Sequence, residues 1–164
     1  MARSWWSAKV RRTWSYLHAR VAAEERTQLS RWLTPGQLAL FDAMPVADRR
    51  HGLDVMGALR AAGSQDVDLL AAGLLHDCGK GSGARLVHRV AWSLGQRYGA
   101  WIWRVAGHAP SFRTGLARMR DHATRSAELV SEAGCSAETV ELIRNQEAPT
   151  NDAGRLLLAA DEAN

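Results

Sequence analysis

Residues 67–80 read VDLLAAGLLHDCGK, and this stretch decides the fold of the chain. Its first half is almost wholly apolar, which is typical of a helix that is buried on most of its faces. Gln65-Asp66 precedes the apolar run as a helix start, and Gly79 follows it as a stop. We therefore predict a buried helix from about residue 66 to Gly79, with His76-Asp77 close to its end.

Helical patterns also cover the rest of the chain. Ala, Leu and Arg are abundant and strand-like alternation is absent, so we predict an all-α fold. Thr34-Pro35 is expected to begin one helix and Asp48 to cap the next. The predicted helices span about residues 5–30, 35–44, 49–62, 66–79, 84–98, 100–108, 114–133, 136–147 and 152–163.

Length and composition favour one soluble domain. The chain has 164 residues, 46% of them apolar and 23% charged, and we expect a basic, Trp-rich segment over residues 1–33 before a helical domain over residues 34–164. No stretch approaches the ~18–20 uncharged apolar residues of a membrane span, and charges interrupt the position of a signal peptide. Cys78 and Cys135 form no disulfide framework, so a cytoplasmic location is expected.

The basic character of the chain is concentrated near its start. The net charge is +4, yet residues 1–35 alone hold seven basic and two acidic residues, so nucleic-acid binding is not expected of the domain. The helix predicted over residues 5–30 carries an apolar stripe that packs on the domain or pairs in a homodimer. The alternative is that residues 1–30 contact a membrane surface or a partner protein. The stripe consists of Trp6, Val10, Trp14, Leu17 and Val21.

Four polar residues occur on otherwise apolar faces of the predicted helices. His51 shares the inward face of its helix, His76-Asp77 ends the buried helix, and Asp161 follows a run of leucines. A lone inward histidine is usually hydrogen-bonded in the core, but one metal ion would satisfy all four groups at once. Nitrogen and oxygen donors together suit Mn, Fe, Co, Ni or Zn, or Mg with water ligands. We therefore predict a divalent metal ion bound by His51, His76, Asp77 and Asp161.

The order of these motifs resembles the HD-domain metal-dependent phosphohydrolase superfamily. The resemblance covers about residues 46–164 and is carried by Arg50-His51, by residues 74–80 (LLHDCGK) and by residues 158–161 (LAAD), with further similarity from Asp121-His122 onward. It implies an HD-domain helical bundle, the same four metal ligands, and hydrolysis of a nucleotide or another small phosphorylated substrate by a metal-activated water.

The resemblance also implies roles for residues around the metal. Asp77 would be both ligand and proton acceptor, and Lys80 would hold a substrate phosphate, although a cation at a helix end also complements the helix dipole. Arg120 is a further candidate for the phosphate, as are Arg85 and Arg89, against the alternative that each is a solvated surface charge.

Three residues are candidates for a second metal ion or for orienting a ligand: His122, His108 and Asp121. His122 matches a position that two-metal HD proteins use, but Asn145-Gln146 stands where those proteins carry two histidines. We therefore expect one metal position. No Gly-Tyr-Pro element is present, so cyclic-dinucleotide hydrolysis is not expected. The competing hypothesis is a catalytically degenerate HD module with a binding or regulatory role.

Overall fold

A computed structural model of the chain describes residues 18–81 and 86–164, and throughout these residues the fold is all helical, as predicted. No helix in these two ranges combines the length and the apolar character needed to cross a membrane. The described helices are Ala23–Leu29 (α1), Pro35–Ala43 (α2), Val46–Ala61 (α3), Val67–Leu75 (α4), Leu86–Tyr98 (α5), Trp101–Ala106 (α6), Pro110–Arg120 (α7), His122–Glu132 (α8), Ala137–Arg144 (α9) and Asp152–Ala163 (α10), with a 3₁₀ turn over Cys78–Lys80.

Helix α4 lies at the centre of the core. Every residue from Leu69 to Leu75 is buried, and α3, α9 and α10 all pack against this helix. The same core takes in Leu29 and Leu33, which precede α2. The prediction of a largely buried helix is therefore confirmed for Leu69–Leu75, whereas Val67 at the start of α4 is 61% exposed, and His76 follows the last turn of α4 into the interior.

Two predicted helix starts are confirmed and one is wrong. Thr34 Oγ1 accepts from Gln37 N at 3.3 Å, and Asp66 Oδ1 accepts from Asp68 N at 2.9 Å. Asp48 does not cap a helix, because α3 already begins at Val46 and buries Asp48 within its first turn.

One predicted helix end is also wrong, and one predicted helix is divided in two. Helix α4 stops at Leu75 rather than near Gly79, and the 3₁₀ turn that follows packs on α8, where Gly79 N donates to Ser126 Oγ at 2.9 Å. The single helix predicted over residues 114–133 is broken at Asp121, whose φ of −100° and ψ of 9° separate α7 from α8. Neither break carries a glycine or proline at the breaking residue, so the sequence gives no local signal for it.

The predicted helix over residues 5–30 is interrupted. Residues 1–17 lie outside the described residues, and with them most of the predicted apolar stripe: Trp6, Val10, Trp14 and Leu17. From residue 18 onward only Ala23–Leu29 of this span is helical, and Glu25 Oε2 accepts from Ala22 N at 2.9 Å at the start of that helix. The homodimer, the membrane contact and the domain boundary at residue 33 stay predictions.

Candidate metal centre

Three separate elements supply the four predicted ligands. His51 comes from α3, His76 and Asp77 from the end of α4, and Asp161 from α10. A Cβ atom at Gly52 would lie 2.3 Å from the carbonyl oxygen of Leu74, so glycine allows α3 and α4 to approach more closely than any other residue would. This approach places the rings of His51 and His76 with their centroids 5.2 Å apart.

The donor atoms of the four residues converge. His51 Nε2 donates to Asp161 Oδ1 at 2.8 Å and lies 3.9 Å from Asp77 Oδ2. His76 Nε2 lies 3.6 Å from Asp77 Oδ1 and 3.6 Å from Asp161 Oδ1. Ligands bound to one ion at about 2.1 Å each are separated by roughly 3–3.5 Å, so small shifts suffice to close these atoms around an ion. Single ligand atoms of His51, His76 and Asp161 thus lie within 4.8 Å of one another, and Asp77 lies beside this cluster, with Oδ2 nearest His51 and Oδ1 nearest His76.

Two buried atoms of this cluster have no hydrogen-bond partner among the described residues. They are His76 Nε2 and Asp77 Oδ1. His76 Nδ1 donates to Gly73 O at 3.0 Å, which fixes a proton on Nδ1 and leaves Nε2 facing the carboxylates. A buried polar group without a partner costs about 1–3 kcal/mol, and a cation would satisfy both atoms together. The donor set therefore fits a divalent metal ion, whose identity the mixed nitrogen and oxygen ligands leave open.

The charged side chains of the cluster shift one another's pKa. Burial by itself raises the pKa of Asp77, but the ammonium of Lys80 and the nearby imidazoles outweigh it and hold that pKa well below its usual range. Burial likewise raises the pKa of Asp161, and the hydrogen bond from His51 reverses the effect. For His76 burial lowers the pKa, yet the two carboxylates leave it raised overall. Both carboxylates are thus ionised at neutral pH and available to bind a cation.

Known proteins give no independent assignment for this cluster. No protein-family model, curated protein or solved structure shows a significant match to the chain. The interpretation of the cluster therefore depends on its motifs and its geometry.

Lys80 lies against the cluster. Its Nζ donates to Asp77 Oδ2 at 2.5 Å, and its side chain is 14% exposed. The 3₁₀ turn that carries Lys80 is flanked by two more cations. Arg125 Nε donates to Gly79 O at 3.3 Å, and a Cβ atom at Gly81 would lie 3.2 Å from Arg118 Nη1. The turn therefore lies in a positively charged environment next to the carboxylates.

His122 is the closest of the three further candidates to the cluster. It is buried, its Nδ1 donates to Met119 O at 2.8 Å, and its Nε2 lies 3.7 Å from Asp77 Oδ1. Burial and the charge of Lys80 lower its pKa, which keeps the imidazole neutral at pH 7. His122 thus has the proton arrangement of a metal ligand at the edge of the cluster.

The other predicted residues lie elsewhere. His108 is exposed in the turn after α6, and its Nδ1 donates to Arg104 O of that helix at 2.8 Å. Asp121 accepts from Arg120 at 2.7 and 3.0 Å, and Arg120 has 70% of its side chain exposed. Arg85 and the side chain of Arg89 lie outside the described residues. No contact of His108, Asp121 or Arg120 with the four ligands is present among the described residues.

Gln146 supports the cluster in a way that the sequence does not predict. This residue is 6% exposed, and its Nε2 donates to His76 O at 3.3 Å. The amide therefore supports the backbone of a metal ligand, whereas its neighbour Asn145 donates to Glu141 Oε1 at 2.6 Å on the surface. Gln146 lies just beyond the end of α9, at a buried position where an apolar residue would be expected.

Cys78 lies inside the motif but is not suited to bind metal. Burial raises the pKa of its thiol to about 12, and the Sγ atom donates to Ser126 O at 3.8 Å. The thiol is thus directed at α8 rather than at the metal cluster, and Cys78 serves as a compact buried side chain at the contact between the 3₁₀ turn and α8.

Proposed function

We propose that this chain is a metal-dependent phosphohydrolase of the HD superfamily that acts on a nucleotide or another small phosphate ester. The proposal is supported most by the close approach of His51, His76, Asp77 and Asp161 to one another. Two buried atoms of this group, His76 Nε2 and Asp77 Oδ1, have no hydrogen-bond partner among the described residues. A cytoplasmic location belongs to the same proposal, because both cysteines are free thiols.

His51, His76, Asp77 and Asp161 would hold the ion. A divalent ion bound there supplies Lewis-acid polarisation of the phosphoryl group and of the attacking water. The protein's part is to orient the donors, and the hydrogen bonds from His76 Nδ1 and from Gln146 hold His76 in place. Asp77 is ionised and can accept a proton, and the neutral imidazole of His122 lies close enough to share that task.

A catalytically degenerate HD module is the second candidate. It is favoured by Gln146, whose buried amide stands where a two-metal HD protein carries a histidine and is committed to the backbone of His76. It is also favoured by Lys80, whose ammonium pairs with Asp77 Oδ2 and so competes with a metal ion for that carboxylate. Such a module would keep the ion for binding or regulation without turnover.

Metal content and turnover together discriminate between the two candidates. The purified chain would be assayed for bound metal, reloaded with Mn, Co or Mg, and screened against phosphomonoesters, nucleotides and phosphodiesters. We expect Asp77→Asn to reduce hydrolysis by about 100-fold or more, because even residues that only orient ligands cost 10–100-fold. Asp152→Asn is the matched control, since its side chain is 99% exposed on α10.

Each outcome of this screen supports or contradicts one of the two candidate functions. Hydrolysis that persists in Asp77→Asn contradicts the catalytic assignment. A reloaded wild-type protein without turnover on any substrate class supports the degenerate module. A wild-type protein that neither contains nor takes up metal contradicts both candidates.

We expect Arg118, rather than the more exposed Arg120, to bind the substrate phosphate beside Lys80. Its guanidinium lies against the turn at Gly81, next to the metal cluster. Arg118→Ala should raise KM about tenfold and leave metal content unchanged, because one hydrogen bond to a charged group contributes about 1.5–3 kcal/mol. Arg113→Ala, on an exposed face of the same helix, is the control. An equal KM for both variants would exclude Arg118 from the phosphate site.

A further inference from the structure

Helices α5 and α6 form a hairpin whose contact surface is filled by two tryptophans. The rings of Trp92 and Trp103 stack with their centroids 4.6 Å apart, and Trp103 Nε1 donates to Trp92 O at 3.3 Å. A Cβ atom at Gly95 would lie 1.8 Å from Trp103 Nε1, so glycine makes room for this ring. The hairpin turns at Gly99, where φ is +113°. The side chain of Trp103 therefore packs between the two helices of the hairpin.

The other side of α6 is apolar and exposed. Trp101 lies two residues before Trp103, about 200° around the helix, and is 56% exposed. Val105, one turn further on, is 63% exposed, and Tyr98 is 49% exposed. Trp101 Nε1 donates to Tyr98 O at 3.2 Å, so the two aromatic residues adjoin. We call this surface the hairpin tip and define it as Arg97, Tyr98, Trp101, Arg104 and Val105.

The charge around the hairpin tip is of one sign. Residues 78–120 contain Lys80 and seven arginines but no aspartate or glutamate, although the whole chain has a net charge of only +4. Arg97 lies 5.5 Å from the centroid of the Tyr98 ring, and Arg104 is exposed beside Trp101. Exposed aromatic and aliphatic side chains are thus surrounded by cations without a compensating acid.

We propose that the hairpin tip binds the surface of a bilayer that contains anionic lipid. Trp and Tyr favour the boundary between headgroups and acyl chains, and Val105 adds apolar area to that insertion. Arginines beside them are attracted to negatively charged headgroups, and the absence of acids over residues 78–120 removes local repulsion. The proposal concerns a surface separate from the metal cluster and does not depend on hydrolysis.

Two other occupants fit the hairpin tip less well. In a symmetric dimer through this surface, Arg97 and Arg104 would meet like charges of the second copy. A nucleic acid would bind the arginines through its phosphates, but Val105 and its 63% exposure would gain little from that contact. A bilayer offers anionic headgroups to the arginines and an apolar region to the aromatic and aliphatic side chains.

Vesicle flotation of the full chain tests the proposal. We expect the protein to bind vesicles of phosphatidylglycerol and phosphatidylcholine in equal parts, and not vesicles of phosphatidylcholine alone. Trp101→Ala with Val105→Ser should weaken this binding about tenfold through lost apolar contact, and Arg97→Ala or Arg104→Ala about fivefold each. Val67→Ser and Arg60→Ala are the matched controls, because Val67 is 61% exposed and Arg60 is exposed on α3.

The outcomes separate this surface from the start of the chain. Circular dichroism and Tm should be unchanged in all these variants, because the substituted side chains are exposed. Binding that survives the hairpin-tip variants but is lost in Trp6→Ala with Trp14→Ala would overturn the proposal. The proposal would also be overturned if the wild-type protein did not bind anionic vesicles, or if it bound a labelled DNA or RNA duplex instead of them.

Discussion

Gly52→Ala should destabilise the protein and weaken metal binding at the same time. The new methyl group would lie 2.3 Å from the carbonyl oxygen of Leu74, which belongs to backbone and cannot rotate away. Separation of α3 from α4 costs about 1–3 kcal/mol or more for overpacking, whereas replacing a helical glycine returns only about 0.5–1 kcal/mol. We expect a net loss of about 2 kcal/mol, and a lower affinity for metal because His51 moves away from His76.

The control for this prediction lies on the same helix. Gly57 is exposed on α3, and a Cβ atom there meets nothing within 4 Å. Gly57→Ala should therefore raise the free energy of unfolding by about 0.5–1 kcal/mol without affecting metal binding. Urea unfolding of the two variants, with metal titration of each, measures both effects. Equal stability of the two variants would contradict the close approach of α3 and α4.

The central helix and the polar positions that face it could be predicted from the sequence. The apolar run over residues 67–75 identifies α4 as the central helix, because a helix without a polar face must be buried. The same reasoning selects His51 and Asp161, since a polar group on an apolar face needs a partner. Residue type and helical periodicity therefore predicted the cluster of His51, His76 and Asp161 and the elements that carry it, while the part of Asp77 as a fourth ligand stays a prediction.

What the sequence did not predict depends on contacts between distant segments. The turn after Leu75 is held by Ser126, far along the chain, and the break at Asp121 has no local signal. Gln146 acquires its role only when α9 packs beside His76. The average net charge of the domain likewise concealed the acid-free stretch of residues 78–120, because acidic residues on either side offset it.

Asp161→Asn should remove metal binding while preserving the fold. Asp161 Oδ1 lies 2.8 Å from His51 Nε2 and 3.6 Å from His76 Nε2, so it is the carboxylate that bridges the two imidazoles. An asparagine side chain has the same shape and can still accept from His51, and the Asp161 side chain is 40% exposed, so the metal-free protein should keep its Tm. The neutral amide is a poor ligand, and we expect the affinity for Mn or Zn to fall about 100-fold or more.

Thermal unfolding with and without metal separates this effect from damage to the fold. A ligand at 100 times its Kd stabilises the native state by about 2.7 kcal/mol, so metal should raise the Tm of the wild type and of Asp152→Asn. The Tm of Asp161→Asn should not respond at the same metal concentration. A response equal to that of the wild type would remove Asp161 from the ligand set and leave the ion to His51, His76 and Asp77. A lower Tm without metal would instead indicate that the bond between Asp161 and His51 stabilises the packing of α10 on α3.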